Sequence, residues 1–465
     1  MRQPNYLPGF YQRRTQDQDS DRLFSGLLPR WSILTQTEKV VCLLVALTPL
    51  WWLLGWKHFM FLIGIGLIAY EKYTRGEVRW RRPSVAAVLF LAYGVYTLIA
   101  RYFYAVYHND TLGPNGVFSV LNSWIGPAIT LWYIQSKNLR VRWQIVAWAF
   151  SVVVALMVVL WVVIFFVWHQ AYYDPPRSLY GFITGKSRVY VPGAGNSNYL
   201  MPYFPTDEAI LPGLVRYVYF FPGPESLALT VGFTSLLALD LKNRLWSVLL
   251  FSASIFIILT SGTRSVVLTL PLVLCLRYLL TAGQAFGVWF LCGLIAVTSF
   301  TTLSIPPVTN IVFNSVVGTA EAAGEARADS TEVRGEIYRR TIDGIVNSSN
   351  TVFLLGHVKT GEGVLPGYAP AVVGSHSFIL GTLLYRSGVI GTSLFAISWT
   401  SLILGIYKTR SDRPMAGLLI FIVFSLTFCV MEIELPVMPI SLLGVLMQSS
   451  PQQLNFRQNK TYLKI

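Results

Sequence analysis

Residues 144–168 read QIVAWAFSVVVALMVVLWVVIFFVW, a run of 25 residues without a charged side chain. A helix needs about 20 consecutive, mostly apolar residues to cross the hydrocarbon core of a bilayer. The run therefore predicts a membrane-spanning helix. The same criterion, a long apolar run, identifies the other predicted spans.

The composition of the whole chain fits the same class of protein. Of its 465 residues, 54% are hydrophobic and only 12% are charged, whereas soluble globular proteins carry roughly 25% charged residues. These values exclude an ordinary soluble enzyme and predict an all-α polytopic membrane protein. The apolar runs predict twelve spans, at about residues 40–56, 58–70, 84–106, 116–135, 144–168, 224–241, 245–261, 265–281, 286–305, 387–407, 414–431 and 437–449.

The basic residues predict which side of the membrane each segment occupies. The formal net charge is +14, from 36 Lys and Arg against 22 Asp and Glu. With the N-terminal tail inside, most basic residues fall in inner segments, and the short outer loops carry only Lys57 and Arg264. Because cytoplasmic loops favour Lys and Arg, we expect both termini in the cytoplasm. The basic balance then requires no nucleic acid as a partner.

This topology divides the chain into tails, helical blocks and two long outer loops. We expect irregular structure packed by aromatic side chains in the first loop. In the second we expect a helix within residues 320–345, a break at 347–350, and a loop across the membrane face at 356–374. The predicted segments are an inner N-terminal tail (1–39), helices 1–5 (40–168), an outer loop (169–223), helices 6–9 (224–305), a long outer loop (306–386), helices 10–12 (387–449) and an inner tail (450–465).

Candidate functional side chains occur in five outer stretches, at Arg216, Arg264, Arg334, His357 and His376. Each has a structural alternative when taken singly. Interfacial arginines commonly extend to lipid phosphates, and a histidine in a loop is often structural. A functional interpretation is favoured because distant parts of the chain bring these residues to one membrane surface.

The chemistry of these residue types indicates a phosphate-linked substrate. Arginine is always charged and donates two parallel hydrogen bonds to phosphate oxygens, so several arginines suit a lipid-linked diphosphate. Histidine can take a proton from a hydroxyl group near neutral pH. No paired carboxylates occur in the first short outer loop, where Asp110 stands alone, and no cysteines have the spacing of metal ligands. We therefore predict a reaction without a metal or other cofactor.

Two of these stretches carry motifs of a known family. Arg216 precedes Phe221 by five residues and Pro224 and Glu225 by eight and nine, and Ser261–Arg264 reads Ser-Gly-Thr-Arg. They resemble motifs of the O-antigen ligase and polymerase superfamily of bacterial polyprenol-linked glycan transferases. Family members have Asn where this chain has Glu225. A carboxylate at that position requires an arginine partner, since it would otherwise repel a diphosphate.

The second half of the chain resembles the same superfamily. Arg334 is similar to the arginine that opens the long-loop helix, and Gly356-His357-Val358 is similar to a Gly-His/Val-Gly turn. His376-Ser377 resembles a His-Asn pair that is followed by Gly-x-x-Gly, here residues 388–391. The chain therefore departs from the motifs at Val358 and Ser377. The resemblance covers roughly residues 200 to 400 and rests on the order of these short motifs.

The resemblance implies a membrane glycosyltransferase of the C-type (GT-C) helical class in the bacterial inner membrane, with its active face on the periplasmic side. The donor would be a glycan on undecaprenyl or another polyprenyl diphosphate, and the acceptor a hydroxyl of a lipid, glycan or protein. The resemblance implies that Arg216 and Arg334 bind the diphosphate and that His376 is the base. Arg264 is a further diphosphate-binding candidate, and Glu225 and His357 are secondary candidates.

Three alternatives stay open from sequence. Within the superfamily the protein could be a ligase for lipopolysaccharide or a polysaccharide polymerase. A transporter for sugar, polysaccharide or bicarbonate would place ionisable groups near the midplane, whereas Arg101 lies toward the outer end of its span. A membrane scaffold would leave the converging arginines and histidine unexplained.

Overall fold

The structure is a computed structural model of the 465-residue chain. It describes residues 23–26, 28–55, 59–78, 80–109, 113–137, 139, 141–190, 198–211, 213–286, 293, 297, 328–365, 371–409, 413–432 and 442.

Helices dominate the described residues, as the composition predicts. Their bounds are α1 (Gln36–Ala46), α2 (Thr48–Leu54), α3 (Phe59–Arg75), α4 (Val85–Tyr107), α5 (Pro114–Val120), α6 (Gly126–Lys137), α7 (Trp143–Val162), α8 (Leu179–Ile183), α9 (Pro224–Ala238), α10 (Arg244–Ser261), α11 (Arg264–Phe286), α12 (Ala328–Val346), α13 (Asn350–Leu355), α14 (Arg386–Lys408) and α15 (Ala416–Thr427). The π-helical segments are Leu121–Ile125, Val163–Val167 and Phe378–Tyr385.

Several of these helices are typical of a membrane-embedded protein. Within the described residues, five are long and apolar enough to cross a membrane, or six if the bent pair α1 and α2 forms one span. The predicted count of twelve is therefore not confirmed. Two of the predicted spans, 286–305 and 437–449, lie almost wholly outside the described residues. The five helices are Val85–Tyr107, Gly116–Lys137, Trp143–Val167, Arg264–Thr281 and Phe378–Lys408.

The other predicted spans coincide with helices that are bent or short. The run at 40–56 forms α1 and α2, which meet at 60° where Pro49 enters the first turn of α2. The run at 224–241 forms α9, whose 15 residues extend about 22 Å. That length is below the roughly 30 Å of a hydrocarbon core. Hydrophobicity identified these helices but did not show how far each extends.

Helix α9 lies at the centre of the bundle. Nearly all of its side chains are buried, and it packs against α7, α10, α11 and α15. Helices α4 and α14 form a second close pair, in which the hydroxyl of Tyr93 lies 3.0 Å from that of Ser387. The first turn of α9 and the start of α14 follow the segments that carry the candidate residues Arg216 and His376.

The last long apolar helix begins nine residues before its predicted start. Ser377 caps it, since its Oγ accepts a hydrogen bond from the N–H of Leu380 (3.2 Å), and the helix runs from Phe378 to Lys408. Arg386 lies within the helical run, and its charge moved the apolar window toward the C-terminus. His376 therefore lies two residues before the helix rather than far out in a loop.

The segment 169–223, predicted as an outer loop, contains regular structure that the sequence did not predict. Strands β1 (Phe24–Ser25) and β2 (Leu28–Pro29) pair before α1, and within this segment β3 (Tyr203–Glu208) and β4 (Val215–Tyr217) pair antiparallel with an irregular register. Buried tyrosines on and next to these strands pack against one another, as the aromatic composition predicted; Tyr217 and Tyr219 stack at 5.3 Å. The irregular register explains why alternation along these short strands was not visible in the sequence.

In the segment predicted as the second outer loop, the described residues agree with the predicted helix and break, whereas 320–327 of the predicted helix lie outside the described residues. Helix α12 ends at Val346, and Ser349 then caps α13. The loop after α13 docks onto α14 by backbone contacts: the N–H of His357 donates to the carbonyl of Tyr385 (2.8 Å) and that of Val358 to Arg386 (3.0 Å). These bonds fix the loop that leads to His376.

Candidate functional site

His376 is the centre of a cluster of polar side chains. Its backbone has φ +62°, a left-handed conformation that few residues other than glycine adopt. The hydroxyl of Tyr338 donates to its carbonyl (3.2 Å), and its own N–H donates to Oε2 of Glu432 (3.3 Å). Its ring Nδ1 lies 2.7 Å from Oγ of Ser375. The surrounding chain therefore holds both the backbone and the ring of His376.

Two opposing electrostatic influences act on the His376 ring. Burial, and then the positive charge of Arg334, lower the pKa of His376 below its ordinary value of 6.5. The carboxylates of Glu432 and Glu225 act in the opposite direction but do not prevail. The lowered pKa favours the neutral ring near pH 7, the form that can accept a proton.

Arg216 lies on β4 and is held at the C-terminal end of α10. Its Nε donates to the carbonyl of Ser261 (2.9 Å), and its Nη2 lies 3.4 Å from Oε1 of Glu225. Gly262 ends α10 with φ +66°, and a Cβ there would lie 3.3 Å from Cγ of Arg216. The glycine both terminates the helix and leaves room for the arginine side chain.

Glu225 connects Arg216 to the histidine. It occupies the first turn of α9, after Pro224, where the positive end of the helix dipole favours a carboxylate. It forms the ion pair with Arg216, and its charge is close enough to act on His376. The arginine partner that a carboxylate requires at this position is therefore present.

Arg264 begins α11, two residues after Gly262, and is half-buried. Its place in the chain puts its backbone next to the turn that contacts Arg216. The Ser-Gly-Thr-Arg stretch thus brings the start of α11 to the turn that holds Arg216.

Arg334 and Tyr338 lie one turn apart on α12, and Arg334 is exposed. The charge of Arg334 acts on both Tyr338 and His376. Burial raises the pKa of Tyr338, which keeps its hydroxyl protonated as a donor to His376. Helix α12 therefore supplies a cation and a positioning hydrogen bond to the same segment.

The structure adds two residues that the sequence analysis did not select, Glu432 and Arg386. Glu432 accepts hydrogen bonds from Nη2 of Arg386 and from the N–H of His376. The sequence signal that could have identified Glu432 is its position as a carboxylate after the apolar stretch that forms α15. With these two included, the described residues around His376 contain Arg216, Arg334 and Arg386 with Glu225 and Glu432, and this excess of positive charge suits an anion.

His357 occupies a different environment from His376. Its ring stacks on Tyr385 at 4.1 Å, with 13° between the ring planes, and Nε2 lies 3.3 Å from the carbonyl of Gly344. These contacts pack the loop against α12 and the π-helical segment. These contacts indicate a structural role for His357, which the sequence analysis selected as a secondary candidate.

In the described part of the chain, no group of three or more His, Cys, Asp or Glu side chains could hold a metal ion. The cluster can bind an anion through its arginines and accept a proton at His376. A search with protein-family models and a search of curated proteins both found no match to this chain.

Proposed function

We propose that the protein is a membrane glycosyltransferase that moves a glycan from a polyprenyl diphosphate to an acceptor hydroxyl at the outer, periplasmic face of a bacterial plasma membrane. One observation carries the proposal. A neutral, positioned histidine lies within the electrostatic reach of Arg334 and of Glu225, the ion-pair partner of Arg216. The resemblance of residues 200 to 400 to O-antigen ligases and polymerases supports the same reaction.

The proposed reaction is one displacement at the anomeric carbon. His376 accepts the proton of the acceptor hydroxyl, whose oxygen forms a bond to that carbon. The bond from the carbon to the diphosphate oxygen breaks, and the polyprenyl diphosphate leaves with the electron pair. Because the hydroxyl attacks opposite the leaving group, the configuration of the anomeric carbon inverts.

The arginines have the role of stabilising the leaving group. Charge grows on the diphosphate as the glycosidic bond breaks, and guanidinium groups already oriented by the protein can stabilise it. Arg216 is oriented by Ser261 and Glu225, while exposed Arg334 can approach the diphosphate from α12. Arg264 is the third proposed contact. The reaction as written uses no metal.

The acceptor distinguishes three variants of the proposal. A lipid A core would make the protein a ligase, a growing glycan would make it a polymerase, and a protein hydroxyl would make it a protein glycosyltransferase. A transporter is the alternative from another class, and the feature that bears on it is a charged residue inside a span. Arg101 is such a residue: it lies within α4, where its Nη1 donates to the carbonyl of Gly116 (2.9 Å).

The test is reconstitution of the purified protein in vesicles with a polyprenyl diphosphate glycan and each type of acceptor. We expect transfer to one acceptor, transfer that EDTA does not abolish, and a loss of about 10² to 10⁴ in rate for His376→Ala. His357→Ala is the matched histidine control and should retain transfer. Loss with EDTA that a divalent ion restores would exclude the metal-free reaction. Collapse of a solute gradient without any transfer would favour the transporter.

A further inference from the structure

Ser375 makes two short contacts that determine which nitrogen of His376 is free. Its Oγ lies 2.6 Å from the carbonyl oxygen of Val372 and 2.7 Å from Nδ1 of His376. A serine hydroxyl has a single hydrogen to donate. A carbonyl oxygen can only accept, so the short contact to Val372 uses that hydrogen.

The second contact must then run in the opposite direction. With its hydrogen committed to Val372, Oγ of Ser375 accepts a hydrogen bond, and Nδ1 of His376 is the donor. A neutral imidazole carries one hydrogen, so Nε2 has the free lone pair. Within the described part of the chain, no hydrogen bond engages Nε2 of His376.

The rest of the segment keeps this geometry in place. Ser375 is only 5% exposed, and its N–H also donates to the carbonyl of Val372 (3.2 Å). Tyr338 and Glu432 hold the carbonyl and the N–H of His376 (3.2 and 3.3 Å), so the backbone from which the ring projects is fixed next to Ser375. The positive φ of His376 is an unfavourable backbone conformation, and it persists because several contacts fix the backbone together.

We propose that Ser375 is a positioning residue that fixes His376 in the tautomer with hydrogen on Nδ1, so that Nε2 is the atom that accepts the proton. This inference rests on the proposed function for its catalytic meaning, but the tautomer can be measured without activity. In hydrolytic triads a carboxylate has this position beside the histidine. A serine orients the ring equally well and adds no negative charge that would favour the imidazolium.

The neutral partner has a consequence for pH dependence. A carboxylate at position 375 would stabilise protonated His376 and raise its pKa, because opposite charges favour the charged form. Ser375→Asp should therefore move the acidic limb of the activity profile to higher pH. If Ser375 only supported the fold, Ser375→Asp would not shift the activity profile.

The first test is nitrogen NMR of the purified full-length protein with ¹⁵N-labelled histidine at pH 7.5. The chain has five histidines, and the spectrum of His376→Ala identifies the signals of His376 by their loss. We expect a protonated Nδ1 and an unprotonated Nε2 in the wild type, and a mixture of tautomers in Ser375→Ala. A hydrogen on Nε2 in the wild type overturns the proposal, whatever the protein catalyses.

The second test measures glycan transfer and its pH profile. Ser375→Ala should lower the turnover rate about 10- to 100-fold, the usual cost of removing a partner that orients a functional histidine. In the His376→Ala background the same substitution should cost nothing more, because Ser375 acts through the ring. Equal losses in both backgrounds, or no shift of the profile in a folded Ser375→Asp variant, would contradict a positioning role.

Discussion

At the scale of single residues, the partners of the basic side chains around His376 differ in charge. Arg216 has a carboxylate partner in Glu225, and Arg386 has one in Glu432, while the ring of His376 contacts the neutral Ser375. The charge of Arg334, which is exposed on α12, can approach an anion. Arginine suits this role because its planar group can contact two phosphate oxygens at once.

A lysine at position 334 should not replace this arginine. Arg334→Lys retains the charge but loses the two-pronged contact, so we expect a fall in transfer of at least about tenfold, or 1.4 kcal/mol. The control is Arg339→Lys on the same helix, where the exposed arginine pairs with Glu336 (2.8 Å). Steady-state transfer assays would compare the two. Wild-type activity in Arg334→Lys would exclude bidentate recognition at this position.

Activity should depend on pH in the direction set by His376. Because burial and Arg334 lower its pKa below 6.5, the base form persists as the pH falls, and the acidic midpoint should lie below 6.5. Glu432→Gln removes an influence that raises this pKa, so its midpoint should be lower still. Profiles of turnover rate against pH would measure both midpoints. A wild-type midpoint above 6.5 would show that the carboxylates dominate.

At the scale of elements, two glycines allow the loop after α13 to approach α14. Gly388 interrupts the helix with φ +59°, and a Cβ there would lie 2.5 Å from the backbone nitrogen of Gly356. A Cβ on Gly356 would lie 2.4 Å from the carbonyl oxygen of Arg386. The two backbones are therefore in contact, with no room for a side chain.

Gly388→Ala should separate this loop from the helix. The added methyl group clashes with backbone that cannot rotate away, so we expect a loss of about 1 to 3 kcal/mol and faster proteolysis within residues 346–377. Gly335→Ala is the matched control, because a Cβ there meets nothing within 4 Å. It should stabilise α12 by about 0.5 to 1 kcal/mol. Equal proteolysis rates in the two variants would contradict the docking argument.

At the scale of the whole molecule, a largely buried ion pair joins α1 to α7. Arg142, just before α7, contacts both carboxylate oxygens of Glu38 on α1 at 2.6 Å, and its N–H donates to the same group (3.0 Å). Glu38 also completes a capping box with Thr35. One carboxylate thus caps the start of α1 and holds the residue that precedes α7 against it.

Removal of one partner should be costly. The side chain of Glu38 is only 2% exposed, so Arg142→Ala leaves a buried charge and should lower stability by about 3 to 5 kcal/mol. Thermal unfolding in detergent would compare it with Arg244→Ala, which removes an exposed arginine. Adding Glu38→Gln should recover part of the loss. An unchanged unfolding temperature in Arg142→Ala would refute the role of the pair.

The sequence by itself determined the class of protein and the chemistry available to it. Long apolar runs are predictable because the cost of placing charge in hydrocarbon is a local property of the chain. They located the helices, and a helix-forming stretch followed by Asn347–Asn350 located the end of α12. Residue type alone also identified arginines and a histidine as the groups able to bind phosphate and accept a proton.

Only the tertiary structure decided which of these groups act on one another. The pairing of Arg216 with Glu225, the contact of Glu432 with His376, and the stacking of His357 on Tyr385 all join positions far apart in the chain or on different elements. Such contacts depend on helix lengths, bends and left-handed backbone conformations, and hydrophobic pattern does not specify these. The direction of one hydrogen bond, from His376 to Ser375, depends in turn on a carbonyl that only the folded loop brings within reach.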